Sequence, residues 1–557
     1  MKKVVYAAPF FLGLAGALSA CGTDSTSSTP DPVSQVQNVV FIYAENRAFD
    51  NTFGNFPGAH GLSDVLDNSG KPTSAYVPQK DRDGATVLTS LPPTWGGVTA
   101  AGAAQPISQA QSTGLPNAPF PVETGFTASS GVTLDSTSIT RDLYHRFFEN
   151  QMEINGGKND MFAAWADAGG LTMGHFDTSK SKIYSLAQQY VLADNFFAAA
   201  YGGSFLNHQY LICACAPTAP ASFVTGNKAT INVLGSPVNG VPQLAQSSGT
   251  TPPSALSAPP SLKTGNIAPL DYFGTGDGYR AVNTMQPAFQ PSGNLPADAN
   301  GNDLLYADPS KATTLPALTN ATIGDLLNAK NVNWAWYSGS WNAAVTDGTQ
   351  NPTAARTVIY KTNSNGTSDS TNIDFQTHHQ PFNYYAAFDP VAHQAARTAH
   401  LKDYNDLIND AKAGTLPPVA FYKPEGLNNQ HEGYTNLASG DAYIANVVSA
   451  LQASPQYKNM LIVITYDEFG GVWDHVAPPK GDLLGPGTRI PAIIISPLAA
   501  KHNGTVDHTQ FDTASILRFI IRRWSLDATQ LPGLAARDAA LKANGSTAMG
   551  DFSDVLQ

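Results

Sequence analysis

Apolar residues in this chain gather into short unbroken runs rather than alternating with polar ones. Asn38–Ala44 (NVVFIYA) and Met460–Tyr466 (MLIVITY) are continuous β-prone blocks, the pattern of strands buried on both faces of a parallel sheet. Shorter runs over 418–422, 332–337 and 490–495 read the same way, and residues 322–329 and 441–451 carry helical spacing. Strands alternating with helices predict an α/β fold, a mainly parallel sheet flanked by helices. Such sheets carry their sites at the C-terminal ends of the strands.

Residues 93–127 and 217–263 interrupt this pattern. Both are rich in Pro, Gly, Ser, Thr and Ala and lack a period, so they read as cap or rim excursions from one core. At the N-terminus, Lys2 and Lys3 precede an apolar stretch over 4–20 that is short for a membrane span and contains Pro9, which predicts a cleaved export signal. Leu18-Ser19-Ala20-Cys21 resembles the lipobox of bacterial lipoproteins, which implies cleavage before Cys21 and a lipid on its thiol. The expected organisation is a signal over 1–20, a Ser/Thr/Pro-rich tether over 21–37 and a single domain over 38–557. The protein would be exported: periplasmic or anchored in an outer membrane through Cys21, or secreted. That anchor is the expected membrane contact.

Composition narrows the function. With 31 Lys plus Arg against 43 Asp plus Glu, the net charge is −12, which argues against a nucleic-acid partner. Charged residues make up 13% of the chain, about half the usual share of roughly 25%, a habit of exported proteins. Beyond Cys21, the remaining cysteines are Cys213 and Cys215. A bridge across one residue would be strained, so two free thiols in the core are expected. A structural zinc site would need a second ligand pair.

Polar pairs end the two longest runs: Glu45 with Asn46, and Asp467 with Glu468. Oxygen donors without Cys suit a hard divalent cation, Mg²⁺, Mn²⁺ or Ca²⁺. Either pair alone reads equally as strand-end capping, and the metal reading gains weight only if the two strands are neighbours. Gly202-Gly203-Ser204 would bend the backbone sharply and expose a hydroxyl, as a nucleophile or as an ordinary turn. It lacks the Gly-x-Ser-x-Gly elbow. Of the 12 histidines, His145, His378, His379, His431 and His475 lie among polar or aromatic residues, where converging imidazoles could bind phosphate and protonate a leaving group.

Taken in order, Glu45-Asn46-Arg47-Ala48-Phe49-Asp50, the stretch from Tyr466-Asp467-Glu468 to Trp473-Asp474-His475-Val476, and Val506-Asp507-His508-Thr509-Gln510-Phe511-Asp512 resemble three motifs of the bacterial phosphoesterase family of acid phosphatases and phospholipases C. Gly202-Gly203-Ser204 with Asn207-His208, and the pair His378-His379, resemble its acid-phosphatase branch. Ala48 is a departure, since many members have Ser there. The resemblance implies an alkaline-phosphatase-like core holding one divalent cation on Glu45, Asn46, Ser204, Asp467 and Glu468. It implies Ser204 as nucleophile, with His145, His379 and His431 as catalytic histidines and His378, Asn207 and His208 at the substrate. Cationic imidazoles would favour acid pH, so the expected activity is an acid phosphatase working on phosphomonoesters through a phosphoserine. The alternatives are a phospholipase C and, from another class, a surface binding module that lost the chemistry.

Overall fold

The computed structural model describes residues 31–219, 232–247, 251–262, 272–274, 279–290, 292–297, 303–311, 314–360 and 373–556. The export signal, Cys21 and most of the proposed tether lie outside them, as does part of 217–263. The domain starts earlier than expected. A helical turn over Pro32–Gln35, inside the range expected to be tether, buries Val33, and Val36 follows it into the core, because apolar residues three apart share one face.

The chain builds one nine-stranded sheet. In chain order its strands are β1 (Asn38–Ala44), β2 (Val191–Phe197), β3 (Trp334–Ser338), β4 (Leu401–Asp403), β5 (Val419–Lys423), β6 (Met460–Tyr466), β7 (Arg489–Ile495), β8 (Thr505–Asp507) and β9 (Phe511–Asp512). In space the order is β8-β2-β7-β6-β1-β5-β3-β4, with β9 beside the far end of β2. Every pairing is parallel except those of β7, which runs against both β6 and β2. Within β7, Pro491 has no amide for the ladder, and the register shifts there between Ile490 and Ala492. The α/β class with a mainly parallel sheet, expected from the apolar runs, is the observed architecture.

All residues of β1, β3, β5, β6 and β7 are buried, as continuous apolar runs require when helices cover both faces. The helices that matter for the site are α1 (Lys182–Gln189), α2 (Ser204–Cys213), α3 (Tyr404–Ala413) and α4 (Leu437–Gln452). A second apolar cluster lies outside the sheet core. Residues 93–127 supply Val98, Ile107, Phe120, Val122 and Phe126 to it, so this stretch is structural and not only a rim.

Cys213 and Cys215 are bonded to each other, against the expectation of free thiols. Ala214 caps α2 in the left-handed region (φ 51°, ψ 36°), which folds the chain back and brings the two Cα atoms to 5.2 Å, within bridging range.

Candidate active site

β1 and β6 are direct neighbours, with Ala44 opposite Tyr466. The residues that follow them therefore leave the sheet side by side. Asn46 sits at φ 60°, a conformation Asn tolerates better than most residues, and its amide donates to Asp467 Oδ1 at 3.1 Å. Gly470 lets the two loops touch: a Cβ there would lie 2.5 Å from the Asn46 carbonyl oxygen.

Ser204 opens α2 on the same side. Gly202 (φ +64°) has no room for a side chain, since a Cβ would meet the Arg146–Phe147 peptide at 2.3 Å. Asn207 holds the loop, its Nδ2 donating to the Gly202 oxygen at 2.7 Å and its Oδ1 accepting from the Ala200 amide at 2.9 Å. Asn207, expected at the substrate, has its amide oxygen and nitrogen engaged by this loop. His208, also expected at substrate, is fully buried behind Ser204, with Nδ1 donating to the Ser204 carbonyl oxygen at 2.7 Å. The Ser204 hydroxyl makes no hydrogen bond of good geometry, although it lies near enough to Asp467 to pull that carboxyl's pKa downward.

Five buried side-chain oxygens in these loop ends and the start of α2 have no hydrogen-bond partner: Glu45 Oε2, Asn46 Oδ1, Asp467 Oδ2, Glu468 Oε1 and Ser204 Oγ. Buried polar atoms are ordinarily paired, and leaving one unpaired costs about 1–3 kcal/mol. Burial and the neighbouring Glu45 charge raise Asp467 to about 7, and burial together with Asp467 holds Glu468 well above the usual carboxylate range. Lys423 brings a positive charge to this cluster at Glu45 Oε1, and the five oxygens above stay without a donor. The cluster's ligand set, all oxygen with three carboxylates, fits a hard divalent cation.

Glu45 shows which side such a cation would take. Its Oε1 faces Lys423 Nζ at 2.8 Å and His379 Nε2 at 2.8 Å, with His378 Nε2 at 3.5 Å, while Oε2 has no hydrogen-bond partner and lies 3.8 Å from His431 Nε2. Burial works to raise this carboxyl, but Lys423 and the two histidines outweigh it and hold Glu45 well below its ordinary pKa. Glu45, His378 and His379 are close enough to form a metal-binding group by themselves. The ammonium of Lys423 already occupies that side, so the open oxygens favour the Oε2 side. Lys423 received no role from the sequence; its one signal there is its place at the end of the apolar run that became β5.

The histidines divide by partner. His379 is fastened to Glu45, with its backbone oxygen held by Trp336 Nε1 and Ser338 Oγ at 2.7 and 2.6 Å. Expected to be catalytic, it lies against Glu45 Oε1 at 2.8 Å. His378 reaches Glu45 Oε1 only at 3.5 Å and is held less closely than His379. His145 and His431 are oriented by backbone carbonyls, Nδ1 to Leu143 O at 2.7 Å and to Glu432 O at 2.5 Å, and their rings lie 5.7 Å apart. Nε2 of His145 is 3.8 Å from Glu468 Oε1, and Nε2 of His431 is 3.0 Å from Asn46 Nδ2. Burial lowers His145 and His379 to about 3 and His431 to about 4. Burial thus works against the cationic imidazoles expected here. A cavity of about 200 Å³ opens onto His145 and His431, lined also by Tyr144, Tyr360, Gln376 and Tyr434.

His475 lies elsewhere. Its Nδ1 is 2.6 Å from Asp50 Oδ2, and Asp50 and Asp474 both pair with Arg489.

A family model described as the phosphoesterase family matches residues 36–527. Non-specific phospholipase C1 of Arabidopsis thaliana is 33% identical over 136 residues, 19% of this chain and 25% of that protein. Non-hemolytic phospholipase C of Pseudomonas aeruginosa is 28% identical over 152 residues, 22% of either chain. Phospholipase C B of Mycobacterium tuberculosis is 27% identical over 162 residues, 24% of this chain and 30% of that one. The aligned stretches thus span about a quarter of these relatives' lengths. Among solved structures, a protein in the alkaline phosphatase superfamily from Vibrio parahaemolyticus covers 74% of this chain and 72% of its own, at 7% identity and a TM-score of 0.28. Agreement of that quality adds no weight to the strand order itself. No helix among the described residues is long and apolar enough to cross a membrane.

Proposed function

The chain belongs to the phosphoesterase family, and we propose that it hydrolyses phospholipid headgroup phosphodiesters in the manner of a phospholipase C, with Ser204 as nucleophile. The observation that carries the chemistry is the set of five unpartnered oxygens at the ends of β1 and β6 and the start of α2. The substrate class rests on the relatives above, whose names are those of phospholipases C.

Glu45, Asn46, Asp467, Glu468 and Ser204 would hold a hard divalent cation, which when bound supplies the positive charge that stabilises a serine oxyanion and screens the phosphate. Ser204 stands in the first turn of α2, where helix amides favour negative charge. With its proton released to solvent under that positive charge, the Ser204 oxygen would attack phosphorus, the Oγ–P bond forming as the P–O bond to the lipid alcohol breaks. His145 and His431 present Nε2 inward because Nδ1 is held by a carbonyl. The charge of a bound phosphate would draw protons onto these nitrogens and onto His378, giving donors to the phosphate oxygens and an acid for the departing alcohol. Water then cleaves the Oγ–P bond, releases the phosphorylated headgroup and restores Ser204.

One observation favours the phosphomonoesterase reading: the cavity of about 200 Å³ is smaller than the roughly 300 Å³ at which ordinary ligand sites begin. Initial rates on p-nitrophenyl phosphate and p-nitrophenyl phosphorylcholine, with Mg²⁺, Mn²⁺ or Ca²⁺, separate the two. Cleavage of the diester and of phosphatidylcholine vesicles is expected; turnover of the monoester alone would make the protein a phosphatase. Ser204→Ala is expected to lower kcat by at least about 10³-fold with the fold intact. Turnover undiminished in that variant would remove Ser204 from the mechanism, and no turnover by the parent chain would favour a binding module.

A further inference from the structure

On the edge of the sheet beyond β7, three residues from separate parts of the chain form a cup. Asp194 lies in the middle of β2. His508 follows β8, which pairs with β2 through Thr505–Asp507. His60 belongs to the loop after the helical turn Phe49–Phe53. His508 Nδ1 is 2.9 Å from both carboxylate oxygens of Asp194, and the His60 amide donates to Asp194 Oδ2 at 2.7 Å. The two imidazoles lie 4.7 Å apart between ring centres. One donor atom from each of the three residues falls within 4.8 Å of the others.

We propose that His60, His508 and Asp194 form a second metal site, on the surface, for an imidazole-preferring divalent cation of the zinc type. The Asp194 side chain is 0% exposed, whereas those of His60 and His508 are 60% and 50% exposed, so a buried carboxylate makes the floor and two accessible imidazoles the rim. The floor is rigid, because Arg489 donates to the backbone oxygens of both Asp194 and His60 at 2.8 and 2.7 Å. The charge of Arg489 is already met by Asp50 and Asp474. Asp64 Oδ2, 3.2 Å from His60 Nδ1, stands within reach as a fourth donor. Zinc takes such N and O donors at about 2.0–2.2 Å in a tetrahedron, and the exposed rings can rotate inward without disturbing the core.

This donor set differs in kind from the all-oxygen active site, since imidazole selects zinc, nickel and copper over magnesium and calcium. The two sites share no residue. From β6 to β2 there are two strand spacings, roughly 10 Å at about 4.8 Å each.

The test uses the full chain, stripped of metal, loaded with zinc chloride and desalted, with bound zinc counted per chain. Removal of both imidazoles by His60→Ala and His508→Ala together is expected to lower the count by one equivalent and to weaken the corresponding step of a calorimetric titration at least tenfold. Circular dichroism and diester hydrolysis should stay unchanged. His393→Ala, an exposed histidine elsewhere, should change nothing. As a second readout, zinc should raise the thermal midpoint of the parent chain carrying Glu45→Gln, and not that of the same chain with both histidines replaced. Equal zinc counts in parent and double variant, or an equal loss in His393→Ala, would overturn the proposal.

Discussion

Two acidic clusters stand close together in this protein, built from similar residues and both buried. One is Glu45, Asn46, Asp467 and Glu468 with Ser204. The other is Asp50, Asp474 and His475, four to eight residues further along the same two loops, together with Arg489 from the start of β7. In the second, every carboxylate oxygen has a donor: Asp50 takes Arg489 and His475, and Asp474 takes Arg489 Nε at 2.9 Å and the amides of Val476 and Asp50. In the first, five oxygens have none. Proximity alone would rank Asp50, Asp474 and His475 as a metal-binding group. Satisfaction reverses that ranking for these two clusters, because Arg489, fixed in the core, already meets the charge of the second, and the first keeps five oxygens that Lys423 does not reach. At Asp194, by contrast, the exposed ring of His508 is free to turn aside.

The sharpest way to break the comparison is to neutralise one carboxylate in each cluster. Asp467→Asn is expected to lower kcat by at least about 10³-fold, because the group lost acts only on the reacting charge. Its unfolding midpoint should hold or rise, since a buried carboxyl with one unpartnered oxygen gives way to an amide whose oxygen can keep the Asn46 and Glu468 amides. Arg489→Leu should do the reverse. It leaves Asp50 and Asp474 buried without their cation, a loss of about 3–5 kcal/mol, with activity falling in step with the folded fraction. Denaturant curves and kcat from the same preparations decide the matter. Equal destabilisation by both variants would erase the distinction between an open and a closed cluster.

Within the open cluster, His378 and His379 should separate as well. His379→Phe removes the donor that fixes Glu45 Oε1, an orienting role whose loss typically costs 10–100-fold in metal affinity or activity, and excess cation should restore much of its rate. His378→Phe leaves Glu45 held by Lys423 and His379, so its defect should persist at any cation concentration. Rescue of both variants, or of neither, would show that the two rings do one job.

The strand runs at 38–44 and 460–466 were legible because both are buried on both faces and therefore uniformly apolar; their observed limits coincide with the apolar runs. β2 was not legible. Its run Val191–Phe197 is broken by Asp194 and Asn195, since this strand carries a carboxylate out to the sheet edge. β4, β8 and β9 are only two or three residues long, too short for any period to register. At the site, residue types and their strand-end positions pointed to Glu45, Asn46, Asp467 and Glu468, while the adjacency of β1 and β6 is a property of the fold alone. Asn207 and His379 were read as facing substrate; their contacts with the Gly202 loop and with Glu45 were not legible, because a linear motif does not say which way a side chain turns. Lys423 was passed over because a lysine after a strand is ordinarily solvated, and only the parallel pairing of β1 with β5 brings it onto Glu45.

The closed cluster also makes a smaller prediction, about pH. Burial works to lower the pKa of His475, but the Asp50 carboxylate, which also hydrogen-bonds the ring, overcomes burial and leaves it raised. Burial works to raise Asp50, and His475 together with Arg489 leaves it lowered. A histidine whose folded pKa lies above its unfolded value near 6.5 contributes stability that is complete below about pH 6.5 and lost as pH rises through the folded value. An aspartate whose folded pKa is depressed contributes above about pH 4 and loses that contribution as pH falls through its folded value. The pair is therefore strongest in the window between. His475→Gln should cost about 1.5–3 kcal/mol near pH 6, the worth of a charge-assisted hydrogen bond, and the gap from the parent should narrow as pH climbs past the folded pKa of His475. Denaturant midpoints of both proteins at pH 6 and pH 9 test this directly. A gap that widened with pH would mean that the ring is neutral in the folded protein and that Arg489 alone balances the two aspartates.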